Sequence, residues 1–577
     1  MKASDYIALY LERRGVTHVF ELIGGMITFL LDSLHQKTGV QIVSMHHEQG
    51  AGFAAEGYGR MSGIPGVAMA TSGPGATNLL TTIGSCYFDS TPAVFITGQV
   101  NRHEQKGDRA IRQLGFQETD IVSMARPVTK AAWLVNDPAD LPRMLDEAFE
   151  LASSGRPGPV LIDIPMDVQR AEITDLSRLE AAKPEIAARP LPNPQAAEFW
   201  DGFKKDLTAA KRPLILAGGG IRSALAADAF RQLNRSLKLP VVYSLMAVDV
   251  LPSDDPLRVG LIGSYGNRWA NIALAESDLL LVLGSRLDVR QTGADTDGFK
   301  DGRTIYHVDC EPGEMNNRVT DCITLVSELG SFLEQAFAAP PMFVPTPEWS
   351  ARIAELKLQW PDVAEFRDGT GINPNVLMHR VSDASKSAAA YVLDVGQHQM
   401  WGAQSLDLES HQRLLTSGGM GAMGFALPAA IGACLGCRSE PVVVVAGDGG
   451  FQLNIQELQT IVRLQLPIKI VVVNNQCHGM VRQFQESYFH GRYQSTLWGY
   501  TTPSFSKVAE AYGIESAYVD ETAELTAVLE RCWANPNAPF LLEVGIATGT
   551  NAYPKMAFGL PISQMEPLAK PAEMEGT

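Results

Sequence analysis

The sequence is short of the features that staple, anchor or charge-couple a chain. Its 577 residues include only seven cysteines, an odd number without framework spacing. That excludes a disulfide scaffold and points to reduced thiols in a cytoplasmic protein. Cys434 and Cys437 form a C-x-x-C at the end of the apolar run 425–436 with no second pair nearby, and they read as small helix-packing residues, not as a redox or zinc site. No apolar stretch reaches the ~18 residues a membrane span requires, so no membrane partner is expected. The N-terminal MKASDYIALYLERRG breaks its apolar positions with Asp5, Glu12 and two arginines, the pattern of an amphipathic helix and not of a secretory leader. There is no basic run either. With 47 basic and 64 acidic residues the net charge is −17, which argues against nucleic acid as a partner. Small anionic substrates remain open, because charges farther than about 8 Å are screened at physiological salt.

What is present is enough apolar sequence for several cores, 45% hydrophobic against 19% charged, in a chain long enough for three or four domains of ~150 residues. Short continuous apolar runs recur: GVAMAT, AVFITG, PVLIDIP, PLILAGGG, DLLLVLG, VVVVAGDG and IKIVVVNN. Continuous runs, unlike alternating ones, mark strands buried on both faces, hence parallel sheets covered by helices. The fold class is α/β. Proline-rich stretches at 183–194 and 339–349 read as linkers, dividing the chain into 1–185, 190–340 and 350–550, each sized for its own doubly wound sheet. Whether the three share one architecture is left open. The tail 551–577 has no clear periodicity; its proline-bearing part could lie across another domain, and its end is expected to be mobile.

The strongest local signal follows the strand PVVVVA: Gly447, Asp448, Gly449 and Gly450, and then, after IKIVVV, Asn474, Asn475 and Gln476. Both segments leave a parallel strand at its carboxyl end, where such sheets bind ligands. Asp448, the Asn475 side-chain oxygen and a main-chain carbonyl near Cys477 would suit Mg²⁺ completed by phosphate oxygens and water, so a diphosphate is implied. Each segment alone could be a glycine-rich turn or a strand-end cap; their order and spacing favour a site. Gly419–Gly424 is formally G-x-G-x-x-G but lacks the strand and acidic residue of a dinucleotide fingerprint. Its glycines better suit close approach to a flat ligand, with Met423 as an apolar wedge. In the first segment, Glu48 precedes a small-residue helix. It reads equally as a carboxylate with raised pKa, sharing a proton with a ligand nitrogen, or as a helix cap. TSGPGATN at 71–78 suits a tight turn before a helix N-terminus. His46 and His47 lack metal-ligand spacing and read as structural.

The motifs HEQGAGFAAEGYGR, TSGPGATN, GFQETD, SGRPGPVLIDIP, DVGQHQMW, TSGGMGAMGFALPAAIGA, GDGGFQLNIQEL and NNQCHGMVRQFQ resemble, in family order from about residue 4 to 550, the thiamine diphosphate (ThDP) enzymes around the acetolactate synthase catalytic subunit. The resemblance implies three doubly wound domains: an N-terminal pyrimidine-binding, a central and a C-terminal diphosphate-binding domain. It also implies a cofactor held between the first domain of one subunit and the third of another, so a homodimer or a dimer of dimers. By position, Glu48 would activate the aminopyrimidine, Gly421 would accept from its exocyclic nitrogen and Met423 would bend the cofactor. Gln397 and His398 would contact the diphosphate, and Asp448, Asn475 and Cys477 would ligate Mg²⁺. Gly25, Phe116 and Gln117 fall at the catalytic centre; Pro74, Asn78, Gly447, Gly449 and Gly450 fall among the cofactor contacts. In the central domain Gly219, Ser244, Gly263, Ser264, Gly284, Arg286, Asp288 and Asp309 resemble FAD-binding positions, and a structural FAD is expected.

The expected activity is decarboxylation of pyruvate and transfer of the two-carbon unit to a ketone. The alternative is a 2-keto acid oxidase or simple decarboxylase on the same scaffold. Three positions depart from the family: Met166 stands where a lysine is usual, Phe484 where a tryptophan is, and Ser264 where a methionine is. The segment NRHEQKGDRAIRQLG is longer than usual. Arg290 remains where the family holds the acceptor carboxylate. A second keto acid and a bulkier ketone both remain open as acceptor, and the tail resembles that of relatives acting on nucleotide-linked keto sugars. Any need for a regulatory subunit is not legible.

Overall fold

The computed structural model describes residues 1–184, 193–338, 340, 347–366 and 369–572. Most of both proline-rich stretches read as linkers, and residues 573–577 of the tail, lie outside them. Three six-stranded parallel sheets follow one another along the chain. The first holds β1 (His18–Leu22), β2 (Gln41–Ser44), β3 (Gly66–Ala70), β4 (Ala93–Gln99), β5 (Ala131–Leu134) and β6 (Pro159–Pro165). The second holds β7 (Pro213–Ala217), β8 (Val241–Tyr243), β9 (Arg258–Leu261), β10 (Leu279–Leu283), β11 (Thr304–Asp309) and β12 (Ile323–Val326). The third holds β13 (Ala390–Leu393), β14 (Arg413–Thr416), β15 (Val442–Gly447), β16 (Ile468–Asn474), β17 (Glu515–Val519) and β18 (Phe540–Gly545). The seven apolar runs become β3, β4, β6, β7, β10, β15 and β16, all central, and nearly every residue in them is buried. The fold is α/β, as expected.

Strand order answers the question that composition left open. The first sheet runs β2-β1-β3-β4-β6-β5 and the third runs β14-β13-β15-β16-β18-β17. Counted from each sheet's own first strand, the two orders are identical. The second runs β12-β11-β10-β7-β8-β9, which is the Rossmann order read from the other edge. Two units therefore share one architecture and the middle one differs. Each order has a point where the connections change direction, between β1 and β3, between β7 and β10, and between β13 and β15. The carboxyl ends of those strands open a crevice.

The assembly of the units is tighter than the domain reading suggested. The small-residue helix Glu48–Ser62 of the first unit crosses Ala426–Gly436 of the third, both almost wholly buried where they meet. A side chain on Gly432 would run into the carbonyl oxygen of Ala54, and one on Gly57 into that of Ala429. The helix Pro347–Gln359 covers the second sheet: Trp349, Ile353 and Leu356 pack with Leu214, Leu280 and Ile305, and Trp349 Nε1 donates to the Pro213 carbonyl at 3.1 Å. The tail forms a hairpin, β19 (Lys555–Met556) with β20 (Met565–Glu566), and Met556, Ile562 and Met565 enter that same core. Arg268, ion-paired with Glu365 at 2.6 Å, also donates to the Met565 and Glu566 carbonyls. Among the described residues no helix is long and apolar enough to cross a membrane.

Two outcomes are expected. Gly432→Val should cost about 3 kcal/mol or more in unfolding free energy, because the added carbons meet backbone that cannot yield; denaturant titration measures it. His379 sits between Asp362 (2.9 Å) and Asp407 (2.7 Å), and their hydrogen bonds push its pKa up to about 10. A raised pKa means the stabilisation is complete below the unfolded value of ~6.5 and is lost as pH rises through about 10. Wild-type stability should therefore fall relative to His379→Gln across that window, as thermal melts at stepped pH would record.

Candidate functional site

The third crevice gathers the residues whose sequence order first suggested a cation site. Asp448 begins the helix Asp448–Leu453 directly after β15, and Asn475 follows the neighbouring β16. Asp448 is 3% exposed. Burial pushes its pKa up to about 7 against the opposing pull of the Gly449, Gln476 and Cys477 amides. Its Oδ2 has no hydrogen-bond partner. A buried carboxylate oxygen without a partner is costly unless something else satisfies it, and a divalent cation would. Asn475 Oδ1 accepts from the Cys477 amide at 3.2 Å while its Nδ2 donates to Gln397 at 3.2 Å, so its oxygen faces the Cys477 backbone. Among the described residues no group of three His, Cys, Asp or Glu side chains is placed to hold a metal. An Asp, an amide and a carbonyl are a different kind of ligand set, one suited to a hard ion finished by phosphate and water.

The other wall is the start of the helix Gln397–Ser405, after β13; the first amides of a helix lack partners in the helix ladder, which suits such a place to an anion. His398 is buried, its pKa lowered to about 3 by desolvation, and its Nε2 has no partner. The imidazole lies against Gly447, where a Cβ would sit 2.8 Å from Nδ1. Gly449 similarly abuts His478, and Gly450 abuts Asp394. The Gln397 side chain is held by its own unit: its Nε2 donates to Gln483 at 3.0 Å and to the Thr550 carbonyl at 3.1 Å.

Gly421 (φ +65°) and Gly424 (φ +82°) flank Met423 in the loop that leads from the edge strand β14 to the helix Ala426–Gly436. Sequence reasoning quoted Asp394 within DVGQHQMW but did not single it out. Its buried carboxylate accepts from Val395 (2.8 Å), Gly424 (3.0 Å) and Ala426 (2.9 Å), joining the end of β13 to the loop that carries Met423. Burial raises its pKa despite these amides. Asn454 and Glu457 were missed as well: Asn454 Nδ2 donates to Gln49 and to the Gly424 carbonyl, and Glu457 accepts from the His46 amide. Only contact across units identifies them.

In the first crevice Glu48 opens its helix after β2, capped by His47, whose Nδ1 accepts from the Gln49 amide at 2.9 Å. Glu48 is buried and its Oε2 accepts from Asn78 Nδ2 at 2.9 Å. TSGPGATN does form a turn into the short helix Pro74–Asn78. Gln117 packs against Gly73, 3.0 Å from where a Cβ would lie. It holds φ +65°, uncommon for a residue with a side chain. Phe116 is 80% exposed. A Cβ on Gly25 would meet nothing within 4 Å, so this chain alone does not demand glycine there.

In the second crevice Gly219 packs on Met246, and Gly284 (φ +60°) meets Gly220 backbone to backbone. Ser244 follows β8, Gly263 (φ +105°) follows β9 and buried Asp309 ends β11. Arg286 pairs with Asp288 at 3.3 Å, and Asp288 caps the next helical turn. His307 is buried with Nδ1 unpartnered. Glycine approach at the β7/β10 reversal and an orphaned ring nitrogen fit a dinucleotide. Of the departures from the family pattern, Ser264 is tied to the Arg290 carbonyl (2.6 Å) and to the tail through the Met556 amide (2.8 Å). Phe484, 40% exposed, lies 4.8 Å from the Tyr488 ring, over which Lys555 of the tail sits at 5.2 Å. Met166 belongs to the first unit, where its neighbour Asp167 binds Arg102 at 2.7 Å. Burial raises the pKa of both C-x-x-C thiols, in keeping with a packing role.

Asp394→Ala should cost more than about 2 kcal/mol, because it leaves buried amides without an acceptor; guanidinium unfolding of the full chain would register it.

Comparison with known proteins gives the family. Three family profiles match in order: thiamine pyrophosphate enzyme, N-terminal TPP binding domain, at residues 1–124; central domain at 203–336; and C-terminal TPP binding domain at 394–544. The acetolactate synthase large subunit of Pyropia yezoensis is 36% identical over 97% of this chain and 94% of its own length. Isozyme 2 of the same subunit from Escherichia coli is 36% identical over 98% and 99%, and the subunit from Lactococcus lactis 36% over 97% and 95%. The chain therefore belongs to the thiamine pyrophosphate enzyme family and is an enzyme of the acetolactate synthase large-subunit type.

Proposed function

We propose that this enzyme is a ThDP- and Mg²⁺-dependent carboligase that decarboxylates pyruvate and joins the remaining two-carbon unit to a ketone. The acceptor is either a second 2-keto acid, giving acetolactate, or a bulkier ketone such as a nucleotide-linked keto sugar. The observation that carries the reading is the third crevice, where Asp448 Oδ2 and His398 Nε2 are buried without partners at one strand-order reversal. When bound, ThDP supplies the electron sink that decarboxylation of a 2-keto acid needs. The chain's own part is to hold, orient and shield. Asp448, Asn475 and the Cys477 carbonyl would hold Mg²⁺, and the Gln397–His398 helix start would face the diphosphate. Gly421 and Met423 would support the rings. Glu48, fixed by Asn78, would exchange a proton with the pyrimidine. The active unit would be a dimer pairing the first unit of one chain with the third of another, and exposed Phe116 supports an outside surface completing that site. FAD in the second crevice would be structural, since the carboligation transfers no net electrons.

Ser264 and Phe484, smaller than their counterparts in the resembled family, and the uncharged Met166 support room for an acceptor larger than pyruvate. Carbon-labelled pyruvate incubated with pyruvate alone, and with each larger ketone, should yield a product two carbons heavier than its acceptor, with one CO₂ released per product; no CO₂ with any acceptor overturns the donor assignment. Glu48→Gln should lose about 100-fold or more in turnover while still binding ThDP and Mg²⁺ by calorimetry. Wild-type turnover in that variant would remove Glu48 from the chemistry.

A further inference from the structure

The loop carrying Gly421 and Met423 cannot order itself. It contains four glycines between Gly418 and Gly424, and glycine loses the most freedom on ordering. Its exit is pinned by Asp394 from its own unit. Its entrance is pinned from the first unit. Asp89 ends the helix Leu80–Phe88 with its side chain 1% exposed. Its Oδ2 accepts the Gly418 N–H at 3.0 Å and its Oδ1 the Gly419 N–H at 2.6 Å. Arg60 donates to Asp89 at 3.0 Å and, from its other terminal nitrogen, to the Thr416 carbonyl at 2.7 Å. The first unit thus grips the peptide groups of 416, 418 and 419. Ser85 and Ser417 hydroxyls meet at 3.3 Å, and Ser417 Oγ accepts the Ala422 N–H at 3.2 Å, which carries the hold to the residue before Met423.

Gly418 is backed by Met246 of the second unit and Gly419 by Phe88, 2.8 Å from where a Cβ would sit, so the strip is confined on both sides, and among the described residues Asp89 is the acceptor for both amides. The same cluster reaches the second unit: Arg413 donates to the Arg60 carbonyl at 3.0 Å and to Asp249 at 2.8 Å, and Asp249 also accepts from Arg222 at 2.9 Å. Glu56, bonded to Arg60 at 2.6 Å and also to Ser85 and Cys86 of its own unit, completes the ion cluster without bonding the loop amides. Amides donating to a carboxylate make bonds roughly twice as strong as those to neutral acceptors.

We propose that Asp89 is a positioning residue for the cofactor loop. It holds Gly418 and Gly419 so that Gly421 and Met423 of the third unit keep their cofactor-facing conformation only while the first unit of the same chain is docked. This rests on the reading that Gly421 and Met423 support ThDP. Asp89 itself touches no reacting atom.

The test uses the full chain and two measurements: hydrogen–deuterium exchange of peptides spanning 416–424 without cofactor, and calorimetric titration with ThDP and Mg²⁺. Losing one charge-assisted bond corresponds to about ten- to a hundredfold. Asp89→Asn should speed exchange of the loop by that factor and weaken ThDP binding similarly, with turnover at saturating cofactor much less affected. Glu56→Gln, which disturbs the ion cluster without touching the loop amides, should leave both at wild-type values. Asp89→Glu, which keeps the charge but displaces its oxygens, serves if the Asn variant does not fold. Wild-type exchange and affinity in the Asp89 variants, or equal changes in Glu56→Gln, would overturn the proposal. Failure of the wild type to bind ThDP would instead overturn the cofactor reading, while the exchange comparison would still decide whether Asp89 holds the loop.

Discussion

The contact on which the molecule depends is the crossing of two small-residue helices, Glu48–Ser62 and Ala426–Gly436, near enough that carbonyl oxygens occupy the space side chains would need. Glycine at 57 and 432 is required by that approach. Each helix begins at residues of the candidate site: Glu48 is the first residue of one, and Met423 and Gly424 lead into the other. Side chains crowd in around the crossing. Phe53 meets Phe425 edge to face at 5.4 Å, and Arg60 lies over the Phe425 ring at 5.6 Å. Fixing this crossing fixes how the first crevice stands to the third within one chain.

The first and third units share a strand order yet present different chemistry at the same topological place. The first lines its crevice with a carboxylate bonded to an amide, Glu48 to Asn78. The third lines it with a carboxylate whose second oxygen is bare and with a buried imidazole whose Nε2 has no partner. One arrangement can exchange a proton with a neutral ring; the other can complete a cation and face an anion. The middle unit, with its different order, brings the backbones of Gly220 and Gly284 together at its own strand-order reversal. Topology chose the places and the residues at the strand ends chose their use.

Polar groups buried between units do much of the remaining organisation. Asp394 joins strand end to loop inside the third unit, Glu457 and Asn454 hold the start of the Glu48 helix from across the boundary, and Arg268 with Glu365 ties the tail to the second sheet. Each is met by hydrogen-bond partners, from backbone or, for Glu365, from Arg268, which is what makes burial of charge tolerable. Removing one partner would leave a group with nowhere to turn.

The sequence by itself determined the central strands, because burial on both faces demands unbroken apolar runs such as VVVVAG and IKIVVVN, and it singled out Asp448, Asn475 and Glu48, which the fold places just past the strands β15, β16 and β2. Edge strands such as Ile323–Val326, with three of four residues exposed, leave no such run and were not legible. Nor was the strand order that sets the middle unit apart, the docking of Pro347–Gln359 and the tail on the second sheet, or the roles of Asp394, Asn454 and Glu457. Those belong to the tertiary structure alone, since a hydrogen bond between residues hundreds of positions apart, like that from His46 to Glu457, has no periodicity or spacing by which the chain could announce it.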